Sequence, residues 1–164
     1  MKERVVILGG GGHAKVVIDI LDDAGEVDLM GFTSRDGQSE PLCGYPCIGT
    51  DAILEELFTR GVRSAFVAIG DNNQRRVCLA WLRERGFDLI NAISESAAIS
   101  RHASLGKGIA VMPGAVVNAG ARVEDGVIIN TKACVDHDCF IGPCAHIGPG
   151  TSVCWMLVVG QEFS

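Results

Sequence analysis

From Ile99 onward an aliphatic residue returns at every sixth position: Ile99, Leu105, Val111, Val117, Val123, Ile129, Val135, Ile141, Ile147, Val153 and Val159. Four residues after each of the first ten stands Ala103, Ile109, Ala115, Ala121, Val127, Ala133, Cys139, Ala145, Thr151 or Leu157, mostly small and all but Thr151 apolar. A helix repeats its apolar face every ~3.6 residues and a strand every second residue, so neither holds this register. The period predicts a coil of three short strands, each turning one aliphatic side chain inward, with a small residue where the three faces converge. One coil buries little by itself. Stacked coils bury a continuous column.

The residues before the repeat follow another pattern. Val5 to Leu8 is a short apolar run, as in a parallel strand covered on both faces, and Gly9, Gly10, Gly11, Gly12, His13 and Ala14 follow at once. Lys15 to Asp23 then carries Val16, Val17, Ile20 and Leu21 at helical spacing. The glycines satisfy G-x-G-x-x-A, which permits a tight turn and lets a phosphate approach the free N–H groups of a helix N-terminus. Further strands are expected from Val27 to Phe32 and from Ser64 to Ile69. A helix capped by Thr50 or Asp51 should run through Arg60, and a longer one from Gln74 to Arg85. Alternation of this kind implies a parallel sheet. The chain therefore divides into a Rossmann-like α/β nucleotide-binding domain over residues 1–92 and an all-β parallel β-helix domain over 93–164.

A dinucleotide site wants an acidic residue closing the second strand. Here Thr33, Ser34 and Arg35 intervene before Asp36, and three or four strands make half a dinucleotide fold. A mononucleotide or nucleotide-sugar fits better than NAD, with a tight turn holding no ligand as the other reading. His13, at the mouth of the loop, either contacts a phosphate or caps the helix. A net charge of −6 without a basic stripe argues against a nucleic-acid partner. No apolar run approaches the ~20 residues of a membrane span, and residues 1–8 read as a lead-in to a strand, which implies a cytoplasmic protein. Seven cysteines are present, yet Cys43 and Cys47 form an isolated C-x3-C and the later ones fall at different phases of the repeat. They read as small buried residues in a reducing compartment, with no metal expected.

The stretches Val6 to Asp19, Ile69-Gly70-Asp71-Asn72, Ile128 to Gly142 and His146-Ile147-Gly148-Pro149-Gly150 resemble the hexapeptide-repeat acetyltransferases of the sialic-acid O-acetyltransferase and bacterial UDP-amino-sugar N-acetyltransferase type. The most specific carrier is Asn130-Thr131 followed by His137-Asp138-Cys139. The resemblance implies a left-handed β-helix, a homotrimer with its active site between neighbouring helices, a nucleotide-sugar on the N-terminal domain, and acetyl-CoA as cosubstrate along the β-helix. It assigns Gly9 to His13, Asp36, Gly70 and Asn72 to the nucleotide-sugar. His146, Asn118, Gly142 and Trp155 fall to acetyl-CoA or substrate. Asn118 and Asn130 also read simply as caps of turns, and His102 as idle.

Acyl transfer from a thioester needs a base to take the nucleophile's proton, and an imidazole titrating near ~6.5 suits the task. By resemblance His137 is that base and Asp138 orients it. Neither occupies an inward phase of the repeat. Three features depart from the family. Thr33 and Ser34 stand where acidic residues usually hold the nucleoside, and Trp155 stands where a glycine usually lies one coil beyond the histidine. The sequence also runs out in repeat register, with Phe163 at the fourth place, barely four coils from Ile99. This suggests a C-terminally truncated β-helix. The expected function is acetyl-CoA-dependent N-acetylation of a nucleotide-activated amino sugar. The alternatives are O-acetylation of a sialic acid or sugar, or a catalytically inactive nucleotide-sugar-binding oligomer.

Overall fold

A computed structural model describes residues 2–160 and divides the chain into two compact units, meeting at Ile90 and Asn91. Phe163 lies outside the described residues.

The first unit is a five-stranded parallel sheet. Its strands are β1 (Glu3–Leu8), β2 (Val27–Thr33), β3 (Cys47–Gly49), β4 (Ser64–Val67) and β5 (Asp88–Leu89), in the order β3-β2-β1-β4-β5. Three helices connect them: α1 (Gly12–Ala24), α2 (Ile53–Thr59) and α3 (Asn72–Glu84). Helix α1 buries Ala14, Val17, Ile18 and Leu21, an i, i+3, i+4, i+7 stripe that lays it on the sheet. It begins three residues earlier than Lys15, inside the glycine run, because Gly11 already serves as its N-cap. The chain leaves β1 toward one side for β2 and β3, then returns to the other side for β4. This change of direction opens a crevice at the carboxyl ends of β1 and β4, the usual place for a ligand in open α/β sheets. Strands β3 and β5 are too short to show in the sequence pattern. Where the sequence suggests a cap by Thr50 or Asp51, α2 is capped by Ala52 with no side-chain bond. The Asp51 carboxylate instead accepts the Thr33 hydroxyl.

Strand β2 carries one residue more than its partner between Leu29 and Gly31, which pair with Val5 and Val6. Gly31 takes φ 133°, and a Cβ there would lie 2.5 Å from the Pro46 carbonyl oxygen. The bulge sets Phe32 beneath the glycine loop, where a Cβ on Gly10 would meet its ring at 2.8 Å.

The second unit is a left-handed parallel β-helix. Among the described residues its twelve two-residue strands run from β6 (Ala92–Ile93) and β7 (Ala98–Ile99) to β17 (Val158–Val159), and form three four-stranded sheets. Every pairing spans one coil of 18 residues, as in Ala98↔Val116, Val116↔Cys134 and Cys134↔Ser152. The coils begin one strand before Ile99. The column buries Val111, Val117, Ile129, Val135 and Ile141 together with Ala115, Ala121, Ala133 and Cys139 from the fourth place. Burial of one Val or Ile is worth about 1.5–3 kcal/mol, so the column accounts for most of this unit's stability.

Candidate active site

The crevice of the first unit is an open cleft of about 1240 Å³. Gly9 to His13 form one wall, Thr33 to Asp36 a second, and Ala68 to Gly70 with Gln74 a third. The glycines there answer different demands. Gly9 has φ 107°, and a Cβ on it would stand 2.7 Å from the Ala68 carbonyl oxygen, so it is required by packing. Gly11 and Gly12 face open space. They leave the N-terminus of α1 uncovered, with no side-chain cap and no acidic residue in its first turn. Such a terminus attracts an anion through its free N–H groups and dipole.

Asp36 lines the cleft, but its carboxylate already accepts the Ser34 hydroxyl at 2.9 Å and the Gln38 backbone N–H at 3.1 Å. The Gln38 bond foremost, then the Ser34 bond, holds its carboxyl below the ordinary range. Asn72 does not line the cleft. Its side-chain oxygen accepts from Arg75 at 2.8 Å, and Asn73 and Gln74 stand at the cleft in its place. Arg75 is fully buried and also donates to the carbonyls of Ile69 and Gly70 at 2.8 and 2.9 Å. It thus pins the loop after β4. Helical spacing alone does not distinguish this arginine from a solvated one, and the Thr33–Asp51 pair joins elements 18 residues apart.

On the β-helix, strand β13 (Cys134–Val135) ends at the turn carrying His137 and Asp138, and β14 (Phe140–Ile141) follows. His137 is 52% exposed, and its Nδ1 lies 2.8 Å from Asp138 Oδ2. This bond foremost, helped by the charges of Asp136 and Asp138, raises the imidazole pKa above its ordinary value. With Nδ1–H donating to the carboxylate, Nε2 carries the free lone pair.

Asp138 has φ 58°. The same turn position recurs every six residues. Gly108, Gly114, Gly120, Gly126 and Gly150 fill it at φ 66° to 76°, and Lys132, Asp138, Cys144 and Met156 at 56° to 58°. A left-handed backbone favours glycine, and among other residues Asp and Asn tolerate it best. Asp138 thus puts a carboxylate, directly beside a histidine, at a turn phase that five other turns fill with glycine.

Trp155, one coil beyond His137, is 59% exposed and lies nearly parallel to the imidazole, at 9° with ring centroids 6.2 Å apart. Its neighbour Met156 donates its backbone N–H to the His137 carbonyl. Asn118 donates to Asp136 Oδ1 at 3.0 Å. His146, in strand β15 (His146–Ile147), meets Asn130 at 2.9 Å, so the structure pairs it with that amide and on a different sheet from β13. Gly142 is buried, its N–H donated to the Val159 carbonyl at 2.8 Å. Among the described residues no group of three His, Cys, Asp or Glu stands close enough to hold a metal, and no helix is long and apolar enough to cross a membrane.

Comparison with known proteins finds relatives of this chain. A family model for the PglD N-terminal domain matches residues 4–82. PerB from Caulobacter crescentus, solved in complex with CoA and GDP-perosamine, is 43% identical, with 95% of this chain and 76% of PerB covered at a TM-score of 0.84. The acetyltransferase domain of PglB from Neisseria gonorrhoeae FA1090 is 31% identical, with 97% of this chain and 86% of that domain covered at a TM-score of 0.85. That domain has also been solved with acetyl coenzyme A. The UDP-N-acetylbacillosamine N-acetyltransferase of Bacillus subtilis (strain 168) is 31% identical over 118 residues, or 67% of this chain. The chain spans about half, 51%, of that curated relative's length.

Proposed function

This chain belongs to the family of bacterial hexapeptide-repeat sugar N-acetyltransferases with a PglD-type N-terminal domain, and on that premise we propose that it transfers the acetyl group of acetyl-CoA to the amine of a nucleotide-activated amino sugar. The observation that carries this reading is the His137–Asp138 pair on an exposed turn of the β-helix, at 2.8 Å.

The chemistry follows from that pair. The sugar amine attacks the thioester carbonyl, forming a C–N bond as its proton passes to His137 Nε2. The tetrahedral intermediate then expels the thiolate of CoA, which takes the proton from the imidazolium. Asp138 holds the ring in the tautomer that exposes Nε2 and stabilises the cation between the two steps. General-base help of this kind is worth roughly 10²–10⁴-fold.

The nucleotide-sugar occupies the cleft of the first unit, its diphosphate at the uncovered N-terminus of α1 beside Gly11 and Gly12. Gly9, Gly10 and Gly70 shape the floor, and Asp36 acts as an organiser of the loop after β2. The family assignment gives His146 and Trp155 to acetyl-CoA or the acceptor, whereas the Gly142 N–H is already committed to the Val159 carbonyl. A homotrimer completes the acceptor site from a neighbouring copy. Acetyl-CoA dependence and seven free cysteines suit the cytoplasm.

Calorimetric titration tests this reading. PerB was solved with GDP-perosamine and the Bacillus relative is named for a UDP-sugar, so GDP- and UDP-linked 4-amino sugars are titrated in parallel, followed by acetyl-CoA. One nucleotide-sugar and acetyl-CoA should both bind, each to a separate site. Binding of the nucleotide-sugar without acetyl-CoA favours the second reading, an inactive nucleotide-sugar-binding oligomer, for which the bulk of Trp155 above His137 speaks.

A further inference from the structure

The turn that carries His137 rests on the coil before it, and the contacts between the two are specific. Asn118 stands 18 residues before Asp136, and its Nδ2 donates to Asp136 Oδ1 at 3.0 Å. The same oxygen accepts the backbone N–H of His137 at 2.8 Å. Gly120 stands 18 residues before Asp138. A Cβ on Gly120 would collide with Asp138 Oδ1, the carboxylate whose other oxygen holds the His137 ring. Between them, the Ala119 carbonyl accepts the Asp138 backbone N–H at 3.2 Å.

We propose that Asn118 and Gly120 are positioning residues of the reaction, acting through the two acidic residues that flank His137. Asn118 clamps Asp136, which in turn fixes the backbone of His137. Gly120 vacates the space into which the Asp138 carboxylate fits. The inference rests on His137 being the base, and it gives Asn118 a role distinct from contact with cosubstrate. Its amide is already committed to a carboxylate. Asp136 and Asp138 are the charged groups that bear on the imidazole. Trp155 on the neighbouring coil, and Ala119 and Gly120 beneath, carry no charge.

A one-coil repeat makes this arrangement economical, because each turn is templated by its predecessor in register. A displacement of ~1 Å at a reacting group can cost about 10²-fold in rate, so a single lost clamp should be felt. A role in folding alone would leave, in variants that fold, both kcat and the ring's titration unchanged.

The test compares wild type, N118A and G120A. It reads kcat and KM for acetyl transfer, and follows the His137 Cε1–H resonance of the whole chain through a pH titration. In G120A the carboxylate is displaced from the ring, and the His137 midpoint should fall toward the ordinary imidazole value. In N118A both charges remain, so the midpoint should hold while kcat falls about tenfold at unchanged KM. Wild-type kcat in N118A, or a wild-type His137 midpoint in a folded G120A, overturns the proposal. Should G120A fail to fold, N118A decides alone. Activity surviving in His137→Ala would remove the base reading, and the G120A midpoint would still report whether Gly120 makes room for Asp138.

Discussion

Asp138 occupies a turn position that its own backbone disfavours, so two substitutions that both delete its carboxylate should differ in stability in an unusual direction. At φ 58° the residue is left-handed, at a phase that five other turns of the β-helix fill with glycine. A non-glycine residue pays roughly 1–2 kcal/mol for that conformation, and Asp sits at the low end because its side chain bonds locally. Asp138→Gly relieves this strain, though glycine's freer unfolded chain takes back about 0.4–1 kcal/mol. Asp138→Ala keeps a Cβ in the left-handed region and loses the local help. The Gly variant should therefore be more stable than the Ala variant by about 1 kcal/mol, or about 4–8 °C in the midpoint of a unit the size of the β-helix. Inside a helix the order is the reverse, with Ala ahead by about 0.5–1 kcal/mol. Both variants should lose roughly 10- to 100-fold in kcat, since each leaves His137 without its orienting partner. Urea denaturation with parallel acetyl-transfer rates checks both limbs. An Ala variant as stable as the Gly variant would refute the strain, and an active variant of either kind would refute the orienting role.

Two further outcomes follow from the same geometry. The base must be neutral to accept a proton and the Asp138 bond raises its pKa, so kcat/KM should fall on the acid side with a midpoint above the ordinary ~6.5. Asp138→Asn should shift that limb to lower pH while lowering the plateau, and a limb that stays in place would exclude the ring as the titrating group. In the cleft, Gly9→Ala should destabilise the first unit, because its Cβ has no room beside Ala68. Gly12→Ala opens a helix in free space and should fold as well as wild type. Thermal melts of the two variants would show the contrast, and equal melts would mean the loop relaxes at no cost.

The β-helix was legible in the sequence because its physics is one-dimensional. Val117, Val135 and Val153 lie over one another for no reason beyond the 18-residue coil. The first unit was legible only in part. Val5 to Leu8 with the glycine run announced β1 and α1, but β3 and β5, at three and two residues, are defined by pairing partners distant in sequence. The same holds for the candidate site. His137 with Asp138 is a local pair and could be read from adjacent letters. The Thr33–Asp51 bond, the buried Arg75 and the Asn118 clamp on Asp136 join residues through the fold, and local periodicity carries no trace of them. Asp138's strain lay between these cases: the six-residue register exposes it once glycine is recognised as the turn's preferred occupant.

The most direct test of the account is mass spectrometry of an acceptor panel, GDP- and UDP-linked 4-amino sugars with their hydroxyl counterparts, each incubated with acetyl-CoA and either the wild-type chain or His137→Ala. Detection on the sugar avoids thiol dyes, which the seven cysteines would consume. The account predicts one acetyl mass gain on an amino sugar of one nucleotide class, nearly abolished in His137→Ala, with the hydroxyl counterparts unchanged. A gain of equal rate in the His137→Ala chain, or a gain on the hydroxyl sugars alone, would contradict it.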